Sequence, residues 1–100
     1  MGGVSASLST HVLDTGRGRP ASDVRVELSF RGKPVAAAAT DSDGRVQELA
    51  GNLEPGRYTL VFHPPSPFFS RVELEIALED GHYHVPLLVS PFSCASYRGS

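Results

Sequence analysis

Cysteine is almost missing from this 100-residue chain: Cys94 stands alone, which excludes an intrachain disulfide and fits a reducing compartment. Charge of one sign is missing too. Nine basic residues against eleven acidic ones leave a net charge of −2. The basic residues are scattered singly, so there is no electrostatic footprint for nucleic acid. No apolar run approaches the length of a membrane span, and Met1-Gly2-Gly3-Val4-Ser5-Ala6 has neither a charged n-region nor an apolar h-region. Gly2 is suited to myristoylation, but Ala6 stands where Ser or Thr is needed. Arg98-Gly99-Ser100 is not the usual peroxisomal address. The expected compartment is the cytoplasm, with no membrane and no nucleic-acid partner.

Helical periodicity is also lacking. What is present is alternation, apolar residues at every second position with Gly or Pro punctuation between the runs, and that is the strand period. The 40% apolar and 20% charged content is that of a folded domain, read here as a single domain over 1–100. A chain of this length buries only about 60–65% of its unfolded surface, so help from partner subunits is unsurprising. The first strand spans Val4 to Leu13, with Val4, Ala6, Leu8 and Val12 on one face and Ser5, Ser7, Ser9 and His11 on the other. Further strands cover Val24 to Phe30, Val35 to Thr40, Arg45 to Leu49 and Tyr58 to His63. The clearest runs from Val72 to Leu78, and Glu79-Asp80-Gly81 reads as a hairpin into Tyr83 to Val89. A last short strand covers Ser93 to Tyr97. His63-Pro-Pro-Ser-Pro67 cannot sit in a central ladder and reads as a loop. Seven or eight antiparallel strands in this length predict an all-β sandwich of two sheets.

The same alternation aims histidines away from the core. Tyr83, Val85, Leu87 and Val89 make the better core face, which leaves His82, His84, Pro86 and Leu88 outside, and His11 likewise lies opposite the apolar set of its strand. Leu88 and Leu13 share those outer faces, so the faces are partly apolar and suited to cover by another subunit. A half-buried imidazole there is a candidate general base, because its pKa lies near neutrality. His82-x-His84 is also a metal-chelating spacing, with His11 as a third ligand in space, but no metal is expected. Asp41 and Asp43 read as turn formers, and Cys94 as a small packing residue.

Leu8-Ser-Thr-His-Val-Leu-Asp-Thr-Gly16 with Arg19-Pro-Ala21, and His82-Tyr-His-Val-Pro-Leu-Leu-Val-Ser-Pro91 followed by Tyr97-Arg-Gly-Ser100, resemble the opening and closing signatures of the 5-hydroxyisourate hydrolases, a transthyretin-like family. Thr40-Asp-Ser-Asp-Gly-Arg45 and Leu53-Glu-Pro-Gly-Arg-Tyr58 resemble its middle, though less specifically. The resemblance implies a transthyretin-like (prealbumin-like) sandwich and hydrolysis of 5-hydroxyisourate to 2-oxo-4-hydroxy-4-carboxy-5-ureidoimidazoline in urate catabolism. It puts His11, Arg45, His84 and Ser100 at catalytic positions, and Arg45, Tyr97, Arg98, Gly99 and Ser100 at substrate-binding ones. It implies a homotetramer, a dimer of dimers with sites where the dimers meet, and no cofactor. The helix that the family carries between the strands near His63 and Arg71 is replaced here by His63-Pro-Pro-Ser-Pro-Phe-Phe-Ser70, so it is expected to be short or absent. The reaction needs a base near neutral pKa for the attacking water, which His11 or His84 supplies, and fixed donors for the oxyanion, which the Arg45 fork supplies. A covalent serine intermediate is not expected. Non-catalytic small-ligand binding, as in transthyretin, is the alternative, with a structural adhesin-like sandwich as a third class.

Overall fold

The computed structural model describes residues 3–99. Nine strands follow one another: β1 (Ala6–Asp14), β2 (Arg19–Pro20), β3 (Arg25–Phe30), β4 (Lys33–Ala39), β5 (Arg45–Leu53), β6 (Gly56–His63), β7 (Val72–Leu78), β8 (Gly81–Ser90) and β9 (Ser93–Ser96). They form two sheets, and no helix occurs among the described residues. The expected all-β sandwich of two sheets is therefore the fold. The ninth strand is the two-residue β2.

One sheet has the order β4-β3-β6-β7 and is antiparallel throughout. The other is organised around β1. Its full length from Ala6 to Asp14 pairs with β8, while its opposite edge is shared by β5 and then β2. β9 extends β8 on the far side. The β1–β8 pair is parallel, the one exception to the antiparallel expectation.

The parallel pair follows from a second difference. Glu79–Gly81 does not close a hairpin, because β7 and β8 belong to different sheets and the turn carries the chain from one sheet to the other. Alternation shows that two strands flank a turn; it does not say whether they pair. Arg31-Gly32 does close a hairpin, with φ of 52° and 79° at its two central residues and β3 paired to β4 across it.

Between the sheets lies one core. Leu8, Val12, Val26, Leu60, Phe62 and Leu87 are fully buried in it. Val4 is excluded: it is 57% exposed, and β1 begins at Ala6. Thr10 also faces the core, and its hydroxyl has no hydrogen-bond partner. Where a helix is expected in the family, Ser66 organises a compact loop instead. Its Oγ accepts from the Phe68 and Phe69 amides and donates to the Pro91 carbonyl.

Candidate active site

β1 and β8 bring the histidines together. In their parallel register Ser7 faces His82, Ser9 faces His84, and His11 faces Pro86. All of these project from the outer side of the sheet, since Leu8, Val12, Val85 and Leu87 fill the inner side. On the other edge of β1, the antiparallel register sets Arg45 of β5 directly opposite His11. Directly opposed residues share a face, so His11, Arg45 and His84 converge on one patch. The two rings have centroids 6.5 Å apart at an interplanar angle of 42°, neither stacked nor bonded to each other.

Each ring is fixed by one of its nitrogens. His11 Nε2 lies 2.9 Å from the Asp43 carbonyl oxygen. A carbonyl only accepts, so Nε2 carries the proton and Nδ1 is left with a free lone pair when the ring is neutral. His84 Nδ1 lies 2.7 Å from Ser9 Oγ, which leaves Nε2 as its outward nitrogen. His84 is held below the ordinary imidazole pKa, first by burial and then by the positive charge of His11, Arg45 and His82 around it. A neutral ring with one open nitrogen can accept a proton at neutral pH.

The turn between β4 and β5 positions Arg45. Asp41 Oδ1 accepts from the amides of both Asp43 and Arg45 at 2.9 Å, so Asp41 is the turn former read from the sequence, while Asp43 supplies a carbonyl that orients His11. Gly44 sits in the left-handed region at φ 74° with its carbonyl accepting from Val12 N at 2.7 Å. Arg45 is exposed, and among the described residues no carboxylate lies within ion-pair distance of it.

The C-terminal segment divides. Gly99 forms an antiparallel bridge with His84, its amide donating to the His84 carbonyl at 2.6 Å. A Cβ at position 99 would lie 2.8 Å from His84 Cδ2, so only glycine lets the chain end pass the ring. Arg98 turns to the other side. Its guanidinium carbon lies 4.2 Å from the centroid of the Tyr83 ring, and both it and Tyr97 line a groove of about 320 Å³ against Leu74, Ile76 and Leu78 of β7. Within one chain, then, the side chains of Tyr97 and Arg98 do not meet the imidazoles. Ser100 lies outside the described residues.

No group of three metal-ligating side chains occurs among the described residues. The spacing His82-x-His84 is used differently, for hydrogen bonds to serines from the neighbouring strand. Ser7 and Ser9 were not singled out from the sequence, although their period-two alignment with His11 was visible there. His63 closes β6 and holds Oε1 of Glu27, on the adjacent strand β3 of the same sheet, at 2.8 Å, so it is a structural partner and not merely a loop residue.

A model of the HIUase/Transthyretin family matches residues 8–99. The 5-hydroxyisourate hydrolase of Deinococcus radiodurans is 42% identical over 113 aligned positions, which cover 93% of this chain and 95% of that protein. The alignment is longer than this chain, so that relative carries residues absent here. The structure of Klebsiella pneumoniae 5-hydroxyisourate hydrolase superposes with a TM-score of 0.88 at 33% identity, covering 95% of this chain and 99% of that one. Sea bream transthyretin in complex with thyroxine superposes with a TM-score of 0.83 at 25% identity, covering 92% and 93%. With nearly the whole chain matched by the family model and by a relative of this identity, the chain belongs to the HIUase/Transthyretin family.

Proposed function

We propose that this chain hydrolyses 5-hydroxyisourate, opening a ring amide with water to give 2-oxo-4-hydroxy-4-carboxy-5-ureidoimidazoline in urate degradation. The observation that carries the reading is the convergence of His11, Arg45 and His84 on one outer face, a set of acid–base and anion-binding groups rather than an apolar ligand seat. Relatives point the same way: the D. radiodurans and K. pneumoniae proteins are hydrolases of this compound, at 42% and 33% identity, whereas thyroxine-binding transthyretin stands at 25%.

In this reading water loses its proton to the open nitrogen of His84 or His11 as its oxygen attacks the amide carbonyl. The Arg45 guanidinium donates to the developing oxyanion or to an imide oxygen of the heterocycle. The same imidazole then returns a proton to the departing ring nitrogen. Gly99 pairs with His84, and Ser100, next to it in sequence, is assigned here as a substrate or water ligand through its hydroxyl. Arg98 anchors this segment on Tyr83, and any direct contact of Tyr97 or Arg98 with substrate requires an assembled oligomer. We assign that oligomer as a homotetramer and the compartment as the cytoplasm; the partly apolar face around Leu13 and Leu88 supports the first, and the lone Cys94 supports the second.

The test is the ultraviolet decay of freshly generated 5-hydroxyisourate. Wild type accelerates it, and Arg45→Ala lowers kcat by about 10²–10³, the cost of one oxyanion donor. His11→Ala and His84→Ala lose about 10²–10⁴, the range for a general acid–base group. Wild type and variants all decaying at the spontaneous rate would sink the enzyme reading.

A further inference from the structure

Behind His84 runs a continuous line of hydrogen bonds that the reaction outlined above does not use. Ser9 Oγ lies 2.7 Å from His84 Nδ1 and 2.9 Å from His82 Nε2, and His82 Nδ1 lies 2.6 Å from Ser7 Oγ. Ser9 is buried and His82 is exposed. The outer end opens on a groove of about 400 Å³ lined by Ser5, Ser7, Asn52 and the carboxylate-bearing Glu48.

The proton count along this line is constrained. Ser9 has one hydroxyl proton and two imidazole nitrogens to satisfy, so it donates to one ring and accepts from the other. With both rings neutral, only two arrangements leave no donor facing a donor. In the first, His84 Nδ1–H donates to Ser9, Ser9 donates to His82 Nε2, and His82 Nδ1–H donates to Ser7. His84 Nε2 is then a bare lone pair. In the second every bond is reversed, and His84 Nε2 carries a proton. The two rings therefore change tautomer together.

We propose that Ser9 and His82 form a proton path that sets the tautomer of His84 and carries its positive charge to solvent. The proposal rests on the reading of His84 as an acid–base group. In the first arrangement His84 Nε2 takes the proton of the attacking water and becomes an imidazolium. Its Nδ1 proton passes to Ser9 Oγ as the Ser9 proton passes to His82 Nε2. The cation now sits on exposed His82, which releases its Nδ1 proton through Ser7 to water or Glu48. His84 is left neutral with Nε2–H. As Nε2 gives this proton to the leaving ring nitrogen, Ser9 passes its proton to His84 Nδ1, His82 Nε2–H refills Ser9, and a proton returns to His82 Nδ1 through Ser7, which restores the first arrangement. One proton leaves at Ser7 during attack and one returns during departure, so the balance closes without a co-reactant. His82 and Ser9 are positioning residues in this scheme, since neither touches the substrate.

The test uses the full-length protein with ¹⁵N-labelled histidine. In wild type the imidazole nitrogens of His84 report Nδ1–H in the resting state. Ser9→Ala shifts them to Nε2–H and lowers kcat about 10- to 100-fold, the usual loss when a group orienting an imidazole is removed, with KM within about twofold. Ser9→Thr keeps the hydroxyl and restores both. His82→Gln, at an exposed position that does not threaten folding, keeps a hydrogen-bonding group but cannot relay a proton, and it lowers kcat about tenfold. An unchanged His84 tautomer in Ser9→Ala, or a wild-type rate in either Ser9→Ala or His82→Gln, overturns the proposal. The labelled spectra need no substrate, so coupling between the rings is tested even if 5-hydroxyisourate is not turned over.

Discussion

At His84 burial and charge act in the same direction. Both favour the neutral ring, burial foremost, and the cationic neighbours His11, Arg45 and His82 add to it. The sign of the pH effect follows. A folded value below the unfolded one, near 6.5, means that the unfolded chain binds the proton first as pH falls. Through this group the native state loses stability from about pH 6.5 down to the lower folded value, and nothing is lost above that window. The base stays competent further into acid than a free imidazole. NMR titration of the His84 ring is therefore expected to give a midpoint below the ordinary one. Arg45→Gln and His11→Gln each raise that midpoint, but only part of the way, because the larger cause is burial. A midpoint unmoved by both substitutions would show that the surrounding charges do not reach the ring.

At the scale of elements, the site is a matter of register, and register is where sequence and structure part. The period-two pattern of β1 and β8 placed His11 and His84 on the outer face correctly, because both strands are regular beside each other over nine consecutive pairs. In β5 the pattern misleads. Its buried residues are Val46, Leu49 and Leu53, spaced three and four apart, because bulges insert extra residues opposite β1 between Leu53, Ala50 and Val46. Alternation stops at Leu49, so the strand reads as half its length. The pairing of His11 with Arg45, on which the site depends, joins residues 34 positions apart and is set by the turn at Asp41–Gly44. No pattern within either strand records it. That turn yields a prediction of its own. A Cβ on Gly44 would lie 2.5 Å from the Val12 carbonyl oxygen and 2.9 Å from Pro20 Cβ, and the residue's φ is 74°. Gly44→Ala is expected to cost about 1–3 kcal/mol of stability and to swing Arg45 off His11. Denaturant unfolding reads the first effect, and a loss of turnover in the remaining folded protein reads the second. An unfolding midpoint equal to wild type would show that the turn has room to relax.

On the scale of the whole molecule, the face that carries the proposed site is also the unfinished face. Leu13 and Leu88 stand opposite each other on the outer side of the sheet beside His11 and Pro86, only half-buried by the chain's own residues. Phe68 and Phe92 meet edge-on with ring centroids 6.1 Å apart while 66% and 72% exposed. Exposed apolar side chains in clusters such as the Phe68–Phe92 pair are the kind of surface that another molecule covers. A site on an open sheet would also leave water free to solvate both Arg45 and the oxyanion, which weakens the very interaction that lowers the barrier. In the proposed tetramer a second copy of the chain would close this face, remove that water and supply confinement to the site. Light scattering at micromolar concentration is thus expected to give about four times the 10.7 kDa chain mass. Leu88→Arg, which places a cation where Leu13 and its counterparts meet, should yield smaller species with an unchanged far-ultraviolet circular dichroism spectrum and at least a tenfold lower rate. A wild-type monomer that turns over 5-hydroxyisourate at full rate would mean that one open face is enough.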